Sequence, residues 1–390
     1  MRLNRGLHLA YCTNVHRGET WSETFDSLKT CALAVRQRVC PRAPFAIGLR
    51  LSHRAARALS QRAVLLQFQR WLEQNDCYVF TINGFPYGQF HGARVKEQVY
   101  APDWTSPERL AYTNLLFDLL AEILPAGVEG SVSTLPGSFK EFIRNNDEEK
   151  IIRENLWRCV EHVAKVSERC QRQLHLGVEP EPLCLLENSA ETIRFFEQLR
   201  AEHPGDPCLD AHLGVNYDTC HFAVEFEEPQ NALSALTQAG IKISKIHLSS
   251  ALRMQPTLEA RAALAKFADD VYLHQVVARD ADGQLKFFRD LPDALANHQS
   301  PIANLQSAEW RIHFHVPLHA PALAPFDNTN DHLLGALDFL AANSKLCSHL
   351  EMETYTWEVL PPEMKARSVV EQLAAEYEWM LPQLAERGLA

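Results

Sequence analysis

Strand-like and helix-like segments alternate along the whole chain, and that alternation constrains the fold more than any single motif. Apolar runs such as LHLAYC (7–12), FAIGLRLS (45–52), CYVFTING (77–84) and GSVSTLPGS (130–138) are separated by stretches with helical spacing, as over 107–124 and 147–173. Repeated β-then-α units with short links favour a parallel sheet. For 390 residues, 46% of them hydrophobic, a closed (β/α)8 TIM barrel is the leading architecture and a doubly wound open sheet the second. No Gly-x-Gly-x-x-Gly or phosphate-loop pattern opens a helix, so nothing supports a nucleotide cofactor.

Four later segments share a second pattern: LHLGVEPEP (174–182), VNYDTCHFAVEF (215–226), KISKIHLSSALR (242–253) and HLEMETYTWEV (349–359). In each, polar residues share one strand face: Glu179 with Glu181, Asn216 with Asp218, Lys245 with His247, Glu351 with Glu353. The opposite face is apolar, as with Leu176 and Val178, Val215 and Tyr217, Ile246 and Leu248, Leu350 and Met352. That suits a barrel whose outer face packs on helices and whose inner rim carries chemistry. Glu179, Asp218, His247 and Glu353 then stand at four strand ends. The bland reading makes Asp218 a helix cap with His221 packed beside it. Against it, four ionisable groups pointing into one cavity would repel each other and lose hydration. A divalent cation removes that cost, and a mixed oxygen and nitrogen set suits Mn, Zn, Co or Mg. Glu181 and Glu351 are alternates for the glutamates two residues away.

Past Arg253 the alternation is disturbed. YLHQVVARDADGQLKFFRDL (272–291) places two β-like runs around Asp280-Ala281-Asp282-Gly283, a hairpin signature. WRIHFHVPLH (310–319) makes a ninth candidate strand outside the hairpin, one more than a barrel needs. Residues 1–390 are therefore read as a single TIM-barrel domain with an insertion over 254–320, between strands seven and eight, lying over the barrel mouth. The alternative is that 310–319 is itself the eighth strand. His313 and His315 share the polar face of that run and would add a ligand, or hold a second metal ion. The loop FPYGQFHGARVKEQVYAPDW (85–104), with Phe85, Tyr87, Phe90, His91 and Trp104, is long enough to serve as a lid or a substrate contact. A terminal helix is expected over 362–387.

Charge and cysteine usage exclude some classes. A net charge of −11 leaves no general basic surface for nucleic acid. The 10 cysteines form no C-x-x-C pair, which favours a reducing compartment over a disulfide framework. Neither a signal-peptide pattern nor the ~20 apolar residues of a membrane span is present, so a cytoplasmic protein without membrane insertion is expected. The oligomeric state stays open.

Glu179-Pro-Glu-Pro after one strand, Asp218-Thr-Cys-His221 after the next, His247 in KIHLSSALR and Glu353 near the C-terminus resemble the metal site of the xylose-isomerase-like TIM barrels. The Asp-Thr-x-His turn and the spacing from His247 to Arg253 look most like the ketose 3-epimerases in that superfamily. The resemblance implies one divalent metal on Glu179, Asp218, His247 and Glu353. It implies that Glu179 and Glu353 exchange a substrate proton, while His221 and Arg253 hold substrate oxygens; His91 and His315 are further substrate-binding candidates. The chain more broadly resembles the EboE-type metabolite traffic proteins, through LAYCTNVHRGETW, TINGFPYGQFHG, VYAPDW, LGVEPEP and HFHVPLH. The expectation is a metal-dependent isomerase or epimerase acting on a polyol or secondary-metabolite precursor. A metal-dependent phosphoester hydrolase and a non-catalytic metabolite-binding protein are the alternatives.

Overall fold

Eight parallel strands close into a barrel in the computed structural model, which describes residues 1–92, 94–297, 309–320, 324–356 and 367–390. The first seven run in chain order: β1 (His8–Cys12), β2 (Phe45–Arg50), β3 (Cys77–Asn83), β4 (Gly130–Thr134), β5 (Leu174–Val178), β6 (Leu213–Asp218) and β7 (Lys242–Leu248). Five short strands follow before the barrel closes: β8 (Ala251–Met254), β9 (Val276–Arg279), β10 (Leu285–Phe288), β11 (Glu309–His315) and β12 (Phe326–Asn328). β13 (His349–Met352) is the eighth barrel strand, paired with β7 on one side and β1 on the other.

The outward face of the site-bearing strands is uniformly apolar. Leu176, Val178, Val215, Tyr217, Ile246, Leu248, Leu350 and Met352 are all buried in the main core against surrounding helices. Several helices begin on side-chain caps. Ser106 accepts from the amide of Glu108, Asn145 from Asp147 and Glu148, and Asn188 from Glu191. These caps fix where each helix leaves the rim loops. No helix among the described residues is long and apolar enough to cross a membrane.

The insertion forms a second, antiparallel sheet in the order β10-β9-β11-β8-β12. β9 and β10 make the expected hairpin, with Gly283 at φ +81° in the turn and Asp280 Oδ1 accepting from the amides of Asp282 and Gln284. The sheet has its own core around Trp310, Ile312, Phe314 and Phe267. The ninth strand-like run thus belongs to this sheet, and β13 closes the barrel.

One element divides differently from the sequence expectation. KISKIHLSSALR is two strands: β7 ends at Leu248, and after Ser249 and Ser250 the chain enters β8 of the second sheet. That sheet consequently spans residues from 251 to 328, wider than 254–320. The terminal helix runs Val369–Glu386. Residues 357–359 of the closing segment, the first turn of the expected terminal helix up to 366, and 298–308 of the insertion lie outside the described residues.

Candidate metal centre

Parallel register brings the site together. Asp218 pairs with His247, and His247 with Glu351, so these three lie in one row across β6, β7 and β13. Glu179 follows β5 directly, its amide bonded to the carbonyl of Thr134 on the neighbouring strand. Glu353 stands two residues above Glu351, its amide bonded to the carbonyl of Leu248.

Three carboxylates converge on one imidazole nitrogen. His247 Nδ1 lies 2.6 Å from Glu353 Oε2, 3.1 Å from Glu179 Oε1 and 3.4 Å from Asp218 Oδ2. All four side chains are buried. One ring nitrogen carries at most one proton and can serve only one of these oxygens. Asp218 Oδ2 accordingly has no hydrogen-bond partner. Its other oxygen, Oδ1, accepts from the amides of Cys220 and His221 and from Ser249 Oγ. Asp218 therefore caps a helix with one oxygen and leaves the other in the cluster, so the cap does not preclude a ligand role.

Electrostatics say the same. Burial alone would push every carboxyl up. Against burial, the imidazoles of His247 and His221 hold Glu179 and Asp218 below the usual range. Burial lowers His247, yet Glu353 and Glu179 reverse this and raise it well above an ordinary histidine. Three carboxylates cannot all ionise beside one imidazolium. Burial and the charges of Glu179 and Asp218 push Glu353 up to about 8, so it keeps a proton. Ligand atoms of Glu179, Asp218, His247 and Glu353 all lie within 4.8 Å of one another, a spacing that metal bonds of about 2.0–2.2 Å can span after small adjustments. The donor set fits a hard or borderline divalent cation, which would take the position of the shared proton.

The alternates separate cleanly. Glu351 does not face the cleft, because it is level with His247 inside the barrel. Its Oε2 accepts from Lys245 Nζ at 2.6 Å and His247 Nε2 at 3.1 Å, and Oε1 from Asn83 Nδ2 at 2.9 Å. Burial opposes its ionisation, but Lys245 and His247 bring it down to about 2. Glu351 thus holds the His247 ring with Nδ1 toward the cluster, as carboxylates behind metal-bound histidines do. Gly48 makes room for it: a Cβ there would sit 1.7 Å from Glu351 Oε1. Gly48→Ala is expected to cost about 1–3 kcal/mol and to weaken metal binding 10–100-fold, measured by thermal melting and by competition with a chromophoric chelator.

Glu181 points elsewhere in the same cleft. Its Oε1 accepts from Tyr100 OH at 2.7 Å, its Oε2 has no partner, and burial raises it to about 7. It forms a second donor group with His221 and His313, and a third group joins Asp218, His221 and His315. Burial keeps His313 and His315 neutral, His315 down to about 4. The insertion strand β11 therefore does deliver both histidines to the rim.

Other expected residues fall further away. His91 is buried beside the cleft, held by the Tyr272 hydroxyl and, at 2.5 Å, by the carbonyl of Asn14. Arg253 does not reach the cluster. It lies on β8, where its guanidinium is held by Asp327 at 2.9 Å and Asp331 at 2.8 Å. The break at Ser249–Ser250 that starts the second sheet carries it away. Asn14 joins the site without a mark in the sequence. It follows β1 and donates to Glu353 Oε1 at 2.6 Å, and a lone Asn after a strand carries no pattern that would mark it.

A cleft enclosing about 610 Å3, its open mouth included, runs past Glu179, Glu353, Glu181, His221 and His313. Phe90, Tyr272 and Tyr355 pack on one another over it, with ring centroids 5.2–5.5 Å apart. Of the long loop, Phe85 and Phe90 line the cleft, whereas Trp104 is fully buried on Thr134 and Tyr87 stacks on His53.

The sequence matches no protein-family model and no curated protein. Solved structures are similar throughout the chain. An L-ribulose 3-epimerase aligns with TM-score 0.52 at 11% identity, over 99% of this chain and 96% of its own. A xylose isomerase-like TIM barrel protein from Mycobacterium smegmatis, in complex with magnesium, gives 0.53 at 12% identity over 98% and 97%. The fold is that of the xylose-isomerase-like TIM barrels. A probable 3-DHS dehydratase from Bacillus anthracis aligns at 0.51 with 12% identity, over 96% of this chain and 99% of its own, so the same barrel carries different chemistries.

Proposed function

We propose that this chain is a divalent-metal-dependent isomerase or epimerase acting on a sugar- or cyclitol-like polyol. The observation that carries the reading is the convergence of three buried carboxylates on His247 Nδ1, two of which, Glu179 and Glu353, line a cleft. Glu179, Asp218, His247 and Glu353 would hold the ion, which when bound polarises adjacent substrate oxygens and makes the neighbouring C–H more acidic. Glu353, fixed by Asn14, supplies one carboxyl group of an acid–base pair. Glu179, which lines the same cleft, supplies the other. A paired acid and base of this kind can take a proton from one face of a carbinol carbon and return one to the other. His221 donates its Nδ1 hydrogen to the carbonyl of Pro180 at 3.0 Å, which leaves Nε2 to meet a substrate hydroxyl. Phe85, Phe90 and Tyr272 keep bulk water from the reacting carbon. The likeness of the chain's segments to EboE-type proteins supports a role in processing or traffic of a secondary metabolite.

The test is elemental analysis combined with proton exchange. Purified protein should hold a divalent ion on the four rim residues and incorporate deuterium from D2O into a polyol substrate. Exchange that persists after the metal is stripped would defeat the reading. A second reading, a metal-dependent phosphoester hydrolase, draws on the neighbouring Glu181–His221–His313 group. It requires a second rim ion and phosphoester cleavage that Glu181→Gln abolishes.

A further inference from the structure

A separate cluster occupies the other end of the barrel. His175 is the second residue of β5 and His349 the first of β13, whereas Glu179 and Glu353 follow the far ends of the same strands. Four residues of parallel strand separate each pair, about 13 Å. Glu129, in the turn before β4, reaches over the same pole. Its Oε2 lies 3.6 Å from His175 Nε2. Ligand atoms of Glu129, His175 and His349 lie within 4.8 Å of one another.

The two histidines are presented in the same way. His175 Nδ1 is 2.6 Å from Ser244 Oγ, and His349 Nδ1 is 2.9 Å from Ser131 Oγ. Ser131 gives its own hydroxyl hydrogen to Thr81 Oγ1 at 2.8 Å, so toward His349 it accepts. That assigns the His349 hydrogen to Nδ1 and leaves Nε2 as a bare lone pair. This nitrogen is fully buried and has no hydrogen-bond partner. Buried polar atoms without partners are rare in folded proteins, and each asks for a missing donor or cation. A hydrogen bond at Nδ1 that fixes the tautomer and leaves Nε2 to a ligand is the arrangement found behind metal-bound histidines. His8 also faces this pole and is kept neutral by burial, down to about 4, while its Nδ1 is engaged by Tyr78 OH at 2.9 Å.

We propose that Glu129, His175 and His349 form a second, independent divalent-cation site at the N-terminal pole of the barrel, with the donor chemistry of zinc. Two imidazoles and one carboxylate leave a fourth position to water on the solvent side, where Glu129 is half exposed. The site ties the turn before β4 to β5 and β13, two barrel strands that do not pair with each other. Its role is structural rather than catalytic, because the substrate cleft opens at the opposite end.

The full-length protein, stripped of metal, is titrated with Zn2+ alone against a chromophoric chelator, and with Co2+ followed by its visible absorption. Glu129→Gln should remove one equivalent or weaken it at least tenfold, without changing rim occupancy or turnover. Asp218→Asn should show the reverse, losing the rim ion and keeping this one. His349→Phe should match Glu129→Gln in stoichiometry; because that ring is buried, Glu129→Gln at the surface guards against a folding failure. Unchanged stoichiometry and an unchanged Co2+ spectrum in Glu129→Gln would overturn the site and reduce the cluster to a Glu–His contact at 3.6 Å. Loss of the rim ion alone would leave the pole site intact, so the two readings fail separately.

Discussion

Glu353→Gln is expected to fold like the parent protein and to lose proton exchange by 10²–10⁴-fold, the range that a positioned acid or base contributes. The substitution is close to isosteric, and the glutamine oxygen can still accept from Asn14 Nδ2, now 2.6 Å from Glu353 Oε1. The side-chain amide cannot donate or take up the reacting proton. The other three donors remain, so the ion should bind more weakly but at the same stoichiometry. The measurement is deuterium incorporation at the carbinol carbon, followed by NMR at saturating metal, beside far-UV dichroism and a melting curve. Exchange within tenfold of the parent would remove Glu353 from the chemistry. Asn14→Ala gives a graded control. It should lower turnover modestly while leaving the metal in place, because it orients Glu353 without replacing it.

Much of this site could be read from the sequence because a barrel strand writes its two faces as alternating residues. Leu176 and Val178 against Glu179, or Ile246 and Leu248 against His247, already separate the helix-facing side from the interior. Alternation cannot report depth. Glu351 and Glu353 share a face, and only register shows that the first is level with His247 and engaged by Lys245, while the second stands at the rim. Alternation also cannot show where a strand changes sheets. Ser249 and Ser250 look like a continuation of β7, yet the chain leaves the barrel there and takes Arg253 with it. The two histidines of β11 are legible as one polar face, but their neighbours are not: Glu181 and His221 lie about a hundred residues away in sequence, and the second sheet brings β11 back to the rim. Asn14 depended on a single contact, which no periodicity encodes.

Lys245→Met is expected to be the most destabilising single change in the barrel, by about 3–5 kcal/mol, because it strands a buried charge. Lys245 and Glu351 are both fully buried, and Lys245 Nζ also donates to Asn83 Oδ1 at 2.6 Å and to Ser133 Oγ at 3.3 Å. Removing the ammonium leaves the Glu351 carboxylate with only the His247 and Asn83 donors. The sign with pH follows from Glu351, whose folded value of about 2 lies below its ordinary 4.5. The stability it contributes is complete above 4.5 and is lost as pH falls through about 2. Urea melts between pH 6 and 2.5 should therefore show a steep acid loss in the parent protein and a flatter one in Lys245→Met. The double change Lys245→Met with Glu351→Gln should recover most of the stability, since a neutral pair replaces a half-broken ionic one. Metal affinity should recover less, because the glutamine is a weaker acceptor for His247 Nε2 than a carboxylate. If the double variant is no more stable than Lys245→Met alone, the loss comes from the hydrogen bonds to Asn83 and Ser133 rather than from the unpaired charge.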